Sequence, residues 1–224
     1  MILLDPDLVA APLSVALREG SQTAHTAAES STFMAELVRG RINARGYRDY
    51  LLRFREVYLQ LEATGHELAD DPAVAAVIDP ALERSTALAA DLAYWTAVVG
   101  EPVASSLDSP AAAAYCAQVI ATRAWAPLFV AHHYTRYLGD LSGGQVVGRV
   151  LDSELALGGA GIAFYRFPDI PKPKPYKDGY RARLDALELG PGDKARLVEE
   201  VSTAFALNQG IFTELGERLD DYRH

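Results

Sequence analysis

Residues Tyr134–Val150, YTRYLGDLSGGQVVGRV, carry helical patterning on both flanks and yet hold Gly139, Gly143, Gly144 and Gly148. A glycine in a helix interior costs about 1 kcal/mol relative to alanine, so a run of them asks for a compensating contact. Gly139 and Gly143 are spaced i, i+4 and share one face, where the missing side chains let something broad and flat lie directly on the backbone. Gly144 borders that strip, and Arg136, Asp140 and Ser142 place polar groups around it. A strip meant only to pack another helix has no use for such groups. The rest of the chain reads as a pocket built against it.

Working outward, Pro127 opens this helix and the pattern carries it to about Leu157, where Gly158, Gly159 and Gly161 break it. Residues 12–29 predict a first helix, with His25 on it and Glu29 one turn later, and a short second helix runs through Phe33, Met34, Leu37 and Val38 to Gly40. From Tyr47 to Leu68 an unbroken apolar stripe marks the longest amphipathic helix. Asp79-Pro80 and Ser109-Pro110 pair an N-cap with a first-turn proline, opening helices over 80–98 and 110–124. Downstream, the aromatic stretch 163–167 suits an extended segment. The proline-rich crossing PDIPKPKP, 168–175, predicts a stiff polyproline-like passage. A helix carrying Lys177, Arg181 and Leu184 follows, and beyond Gly190-Pro191-Gly192 a last one repeats Leu197, Val201, Ala204, Phe205, Asn208, Ile211, Phe212 and Leu215. The expectation is one all-α domain, 1–224, of about eight helices, preceded by a tail over 1–11.

Composition narrows the function. A chain of 224 residues, half of them hydrophobic, can bury a substantial core. The net charge of −9 argues against nucleic acid or an anionic membrane surface as partner. The single Cys116 rules out an intrachain disulfide, which fits a reducing, cytoplasmic setting. No uncharged apolar run approaches the roughly 18 residues of a membrane span, and the N-terminal residues lack a basic leader region. Phosphate-loop, dinucleotide, HExxH and paired Glu-x-x-His signatures are all missing.

The five histidines are His25, His66, His132, His133 and His224. Most helical histidines are solvated or satisfied core residues, but a flat ligand on the glycine strip changes the reckoning. Porphyrin is such a ligand, and its iron wants an axial histidine from the opposite side. His132 precedes Gly139 by two turns, about 10 Å along the same helix, and so cannot face it. His25 and His66 remain open, His25 with Glu29 placed at i+4 to polarise its second ring nitrogen. Two porphyrin propionates want a basic edge. Lys177 and Arg181 share a helix face, and Arg18 lies two turns before His25; each is also what an ordinary solvated basic face looks like.

At RYLGDLSGGQ, 136–145, the sequence resembles the distal-helix signature of haem oxygenases. LREGSQTAHTAAE, STFMAELVRGR, FVAHHYTRYLGDLSGGQVVGRVL, YKDGYRARL and TAFALNQGIFTELG resemble successive segments of that family, in order and over nearly the whole chain. The resemblance implies a single-domain multi-helix fold with haem sandwiched between a proximal and a kinked distal helix. It also implies oxidative opening of haem b by O2 to biliverdin IXα, Fe2+ and CO, with haem as both substrate and cofactor. By it, His25 is the iron ligand and Glu29 its partner. Gly139, Gly143 and Gly144 meet the haem face, Asp140 anchors a distal water network, and Arg136 and Tyr58 support it. Arg18, Tyr134, Lys177 and Arg181 hold the propionates, and Phe205, Asn208 and Phe212 border the pocket. A separate electron donor, a ferredoxin or flavoprotein reductase, is implied, as is a monomer. Arg18 in place of a lysine and the rigid PKPKP depart from the pattern, and Gly148 and Gly179 find no role in it. Two rivals remain: a haem-binding protein without turnover, and a helical scaffold whose glycines serve only close packing.

Overall fold

The long helix α4, Ala44–Glu67, buries Tyr47, Tyr50, Leu51, Phe54, Val57, Tyr58 and Leu61 along one stripe and forms the spine of the core. This computed structural model describes residue 8, residues 10–102 and residues 107–223; the side chain of Glu29 and most of the expected tail over 1–11 lie outside the described residues. Before α4 come α1, Leu13–Gly20, α2, Gln22–Glu29, and α3, Thr32–Val38. After it come a single turn, Pro72–Ala75, then α5, Ser85–Val99, and α6, Pro110–Ala121, both packed on α4. The glycine-bearing helix α7 spans 128–154, and α8, Pro173–Asp185, α9, Pro191–Gly216, and α10, Leu219–Tyr222, complete the order. No strand forms among the described residues; one isolated bridge joins Ile42 to Arg223. The all-α expectation holds.

α9 lies against α2, α6 and the first turns of α7, so it brings the proximal and glycine-bearing elements to one side of α4. α7 begins as Leu128–His133, passes through two π-helical segments, Tyr134–Leu138 and Asp140–Gly144, and resumes as Gln145–Glu154. Such wide turns recur at functional sites. The irregularity expected as a kink is thus a pair of π segments. The glycines there keep ordinary right-handed dihedrals, φ −61° and ψ −48° at Gly139, so they serve space rather than backbone freedom.

Four expectations are corrected. The single helix over 12–29 is two, because Ser21 turns its hydroxyl back onto the Leu17 carbonyl at 2.6 Å and closes the last turn of α1. Gly20 sits at that break, where a Cβ would fall 2.5 Å from Val198 on α9. Asp79 caps only the 3-10 turn Pro80–Leu82. α5 starts later, where the Glu62 carboxylate accepts the backbone N–H groups of Arg84 and Ser85 at 2.5 and 3.0 Å. The aromatic stretch 163–167 is not extended; Ala163–Tyr165 is a 3-10 turn whose first two N–H groups, of Ala163 and Phe164, donate to Asp91. The polyproline-like passage is shorter than 168–175, since α8 begins at Pro173. Prolines are tolerated in a first turn because those N–H groups have no helical acceptor.

Candidate functional site

A cavity of about 380 Å³ opens between α2, α3, α4, α7 and α9, within the usual size of small-molecule pockets. His25 and Ala28 come from α2, Met34 and Val38 from α3, Tyr50 from α4, and Phe205, Asn208 and Phe212 from α9. α7 contributes Arg136, Gly139, Asp140, Gly143 and Gly144. A Cβ added at Gly139 or Gly143 would meet no protein atom within 4 Å, so these two present bare backbone to open space. Val38 and Val146 are 40% and 44% exposed and both line the cavity, an apolar rim that a flat ligand would cover.

Gly148 differs in kind from the others. Its Cβ would fall 2.7 Å from the Cβ of Tyr165, so it is glycine because that ring packs on it. Gly144 is intermediate, with Tyr165 and Asp140 in ordinary contact distance.

Beside Gly139 lies a buried polar cluster. The Tyr58 hydroxyl donates to one Asp140 oxygen, and the Arg136 guanidinium donates to the other at 3.1 Å. Arg136 also donates to the Tyr58 hydroxyl at 3.0 Å and to the Asn208 side-chain oxygen at 2.8 Å. Helical geometry explains the assembly: Arg136 and Asp140 stand i, i+4 on α7, and α4 and α9 supply Tyr58 and Asn208. Burial pushes the Asp140 carboxyl above its ordinary range, and Arg136 and Tyr58 only partly pull it back. The result is a carboxyl that holds a proton more readily than one in water.

The histidines sort themselves by surroundings. His25 reaches the cavity with its ring edge-on to Phe205, centroids 5.2 Å apart. His66 is exposed and pairs with Glu83 at 2.6 Å. His132 is buried on Glu200 at 2.7 Å, and His133 is buried against the Tyr180 hydroxyl at 2.9 Å. His224 lies outside the described residues.

The basic candidates lie outside the cavity lining. Arg18 is exposed and pairs with Glu19, Arg181 pairs with Asp178 at 3.1 Å, and Lys177 donates to the Leu141 carbonyl and the Ser142 hydroxyl of α7 at 3.2 and 2.7 Å. Tyr134 gathers two of them: burial raises its phenol, and Arg181 and Arg18 both pull it down. Tyr58 also lies behind the lining, its hydroxyl on Asp140. Tyr50, Tyr165, Thr135, Met34, Val146 and Val147 line the cavity without having been singled out from sequence. Apolar and aromatic spacing marks them as core, and nothing local to them says which core positions face a hole.

Comparison with known proteins adds to this geometry. A family model described as "Heme oxygenase" matches residues 11–214. Heme oxygenase 1 of Homo sapiens is 37% identical over 218 residues, covering 96% of this chain and 75% of the relative. Heme oxygenase 1 of Synechocystis sp. is 35% identical over 91% of this chain and 84% of its own. Among solved structures, Synechocystis heme oxygenase-1 in complex with heme superimposes with a TM-score of 0.85 at 32% identity, covering 94% of this chain and 95% of that one. Heme oxygenase from Leptospira interrogans gives 0.82 at 33%, covering 91% of this chain and 100% of that one.

Proposed function

The chain belongs to the heme oxygenase family, and from that premise we propose that it binds haem in the glycine-walled cavity and opens it oxidatively to biliverdin, Fe2+ and CO. The observation that carries this reading is a buried carboxyl, Asp140, held by Tyr58 and Arg136 beside backbone left bare at Gly139 and Gly143. Haem supplies the iron at which O2 is reduced and activated, and is itself the substrate.

The chain's residues divide the remaining work. His25, on the α2 wall, is the residue placed to hold the iron, with Glu29 one turn on; a neutral imidazole gives less electron push than a thiolate. Gly139 and Gly143 leave room over the porphyrin face where any side chain would intrude. Asp140 delivers a proton through water on that face, and Tyr58, Arg136 and Asn208 fix its orientation. Phe205 and Phe212 offer apolar contact from α9. Arg18, Tyr134, Lys177 and Arg181 would hold the propionates and so fix how the porphyrin is turned in the cavity; by the family resemblance the product we assign is biliverdin IXα.

The sequence holds no flavin or nicotinamide fingerprint, so electrons come from a separate ferredoxin or flavoprotein reductase, received at the basic rim around Lys177 and Arg181. Among the described residues no helix is long and apolar enough to cross a membrane. We take residues 1–224 as one domain acting as a cytoplasmic monomer. Titration with haemin, followed by ascorbate under air, tests the function. A shifted Soret band followed by biliverdin absorbance is the expected outcome. No Soret shift returns the chain to a scaffold, and a complex that persists under ascorbate makes it a haem-binding protein without turnover.

A further inference from the structure

His25 is carried by α2, a helix of eight residues with no side-chain cap at Ser21 and no acidic residue in its first turn. A helix so short does not hold itself, and its placement comes from what it packs against. α9 is a principal support. It presses on the chain just before α2, where a Cβ at Gly20 would fall 2.5 Å from Val198. Seven residues on, two turns along the same face, Phe205 meets the His25 ring with centroids 5.2 Å and planes 79° apart. Aromatic pairs favour this perpendicular arrangement. The imidazole has need of such a neighbour: the outer torsion of a histidine side chain is broad and roughly two-fold, so its own rotamer leaves the ring plane loose.

On the reading that His25 holds the iron, we propose that Phe205 is a positioning residue for it, setting the plane of the imidazole. Phe205 is half-buried and lines the cavity beside His25. The helix that bears it is tied to α7 at two places: Glu200 meets His132 at 2.7 Å, and Asn208 accepts from Arg136 at 2.8 Å. Asn208 also donates to the Ala204 carbonyl of its own helix at 3.0 Å, which fixes its side chain there. Phe205 and Asn208 stand three residues apart, so one turn of α9 bears on His25 through a ring and on the Arg136–Tyr58–Asp140 cluster through an amide. The plane of the iron ligand is thereby referred to the side of the cavity where the carboxyl lies. A ring standing across the imidazole resists its rotation about the bond from nitrogen to iron. The direction of that plane decides which iron d orbitals the imidazole π electrons raise, and so how unpaired spin spreads over the four pyrrole rings.

Phe205→Leu keeps apolar bulk and loses the flat ring, whereas Phe205→Tyr keeps the ring. Proton NMR of both variants tests the role in two states. In the haem-free chain, the His25 ring resonances are expected to move in Phe205→Leu and to stay at their parental positions in Phe205→Tyr. Unmoved resonances in Phe205→Leu overturn the contact and the role with it. In the ferric complex with haemin and cyanide, the haem-methyl shifts of Phe205→Leu are expected to rearrange while Overhauser contacts from haem to Met34 and Phe212 persist, and Phe205→Tyr is expected to keep the parental pattern. A parental methyl pattern in Phe205→Leu, with only a lower melting temperature, reduces Phe205 to packing and overturns the role. A rearrangement that also shifts the contacts to Met34 and Phe212 overturns it too, because the haem and not the imidazole has then moved. Failure of the parent to bind haemin defeats the proposed function and is read before any variant is compared; a parental methyl pattern in Phe205→Leu defeats only the positioning role.

Discussion

Asp140 is held by two donors and still titrates above an ordinary aspartate, because burial outweighs the attraction of Arg136 and the hydrogen bond of Tyr58. Its proposed role follows from that balance. Asp140→Ala is expected to keep the haem-induced Soret shift while biliverdin formation falls by about 10²-fold or more, the usual scale for losing a positioned proton donor. Normal biliverdin yield from this variant would remove Asp140 from the mechanism. His25→Ala is expected to abolish the parental ferric Soret band; an unchanged band would move the iron ligand elsewhere. His133 carries a different consequence. Burial lowers its folded pKa from 6.5 to about 3, so as pH falls the unfolded chain takes up its proton first. The stability it allows is complete above about pH 6.5 and drains away toward pH 3. His133→Gln, which keeps a hydrogen-bonding side chain beside Tyr180, should flatten that part of the acid-denaturation curve, and an unchanged acid limb would refute the assignment.

At the scale of the element, α7 combines two uses of glycine that look identical in sequence. Gly139 and Gly143 face open space with helical dihedrals, so Gly139→Ala should leave the haem-free protein as stable as the parent or raise its stability by up to about 1 kcal/mol through helix propensity. The same methyl intrudes on the ligand face, and haem affinity should drop. Gly148→Ala is expected to do the opposite in the haem-free state, costing about 1–3 kcal/mol by forcing a methyl onto Tyr165. Chemical denaturation of both variants without haem separates the two; equal effects would mean that the glycines form one functional set. The helix was legible from its periodicity and from Gly158 beyond it, but the π segments were not, since the apolar spacing over 134–144 is that of an ordinary helix. Helix starts show the same divide. Ser109 caps α6 from its own sequence, whereas α5 begins where Glu62, far along the chain on α4, supplies the acceptor.

For the whole molecule, the cavity is a seam between five helices, so a ligand that fills it ties them together. Haem at a hundredfold excess over its dissociation constant should stabilise the fold by about 2.7 kcal/mol, a rise in melting temperature of about 5–11 °C for a chain of this size. No shift in a thermal scan with haemin would contradict binding in this cavity. The amino-acid sequence by itself determined the all-helical class, the approximate places of the long helices, and the family, because apolar period, capping residues and the RYLGDLSGGQ segment are local and survive without coordinates. It also singled out Asp140 and Arg136, spaced one turn apart on a glycine-bearing helix. Only the tertiary structure decided that Asn208 joins the Arg136, Tyr58 and Asp140 cluster, that Gly148 packs on Tyr165 while Gly139 faces space, that His132 and His133 are core residues, and that Tyr50 and Tyr165 bound the cavity. The reason is the same in each case: burial, hydrogen-bond partners and the space in front of a glycine are set by what distant helices bring to the spot, and no local pattern encodes that.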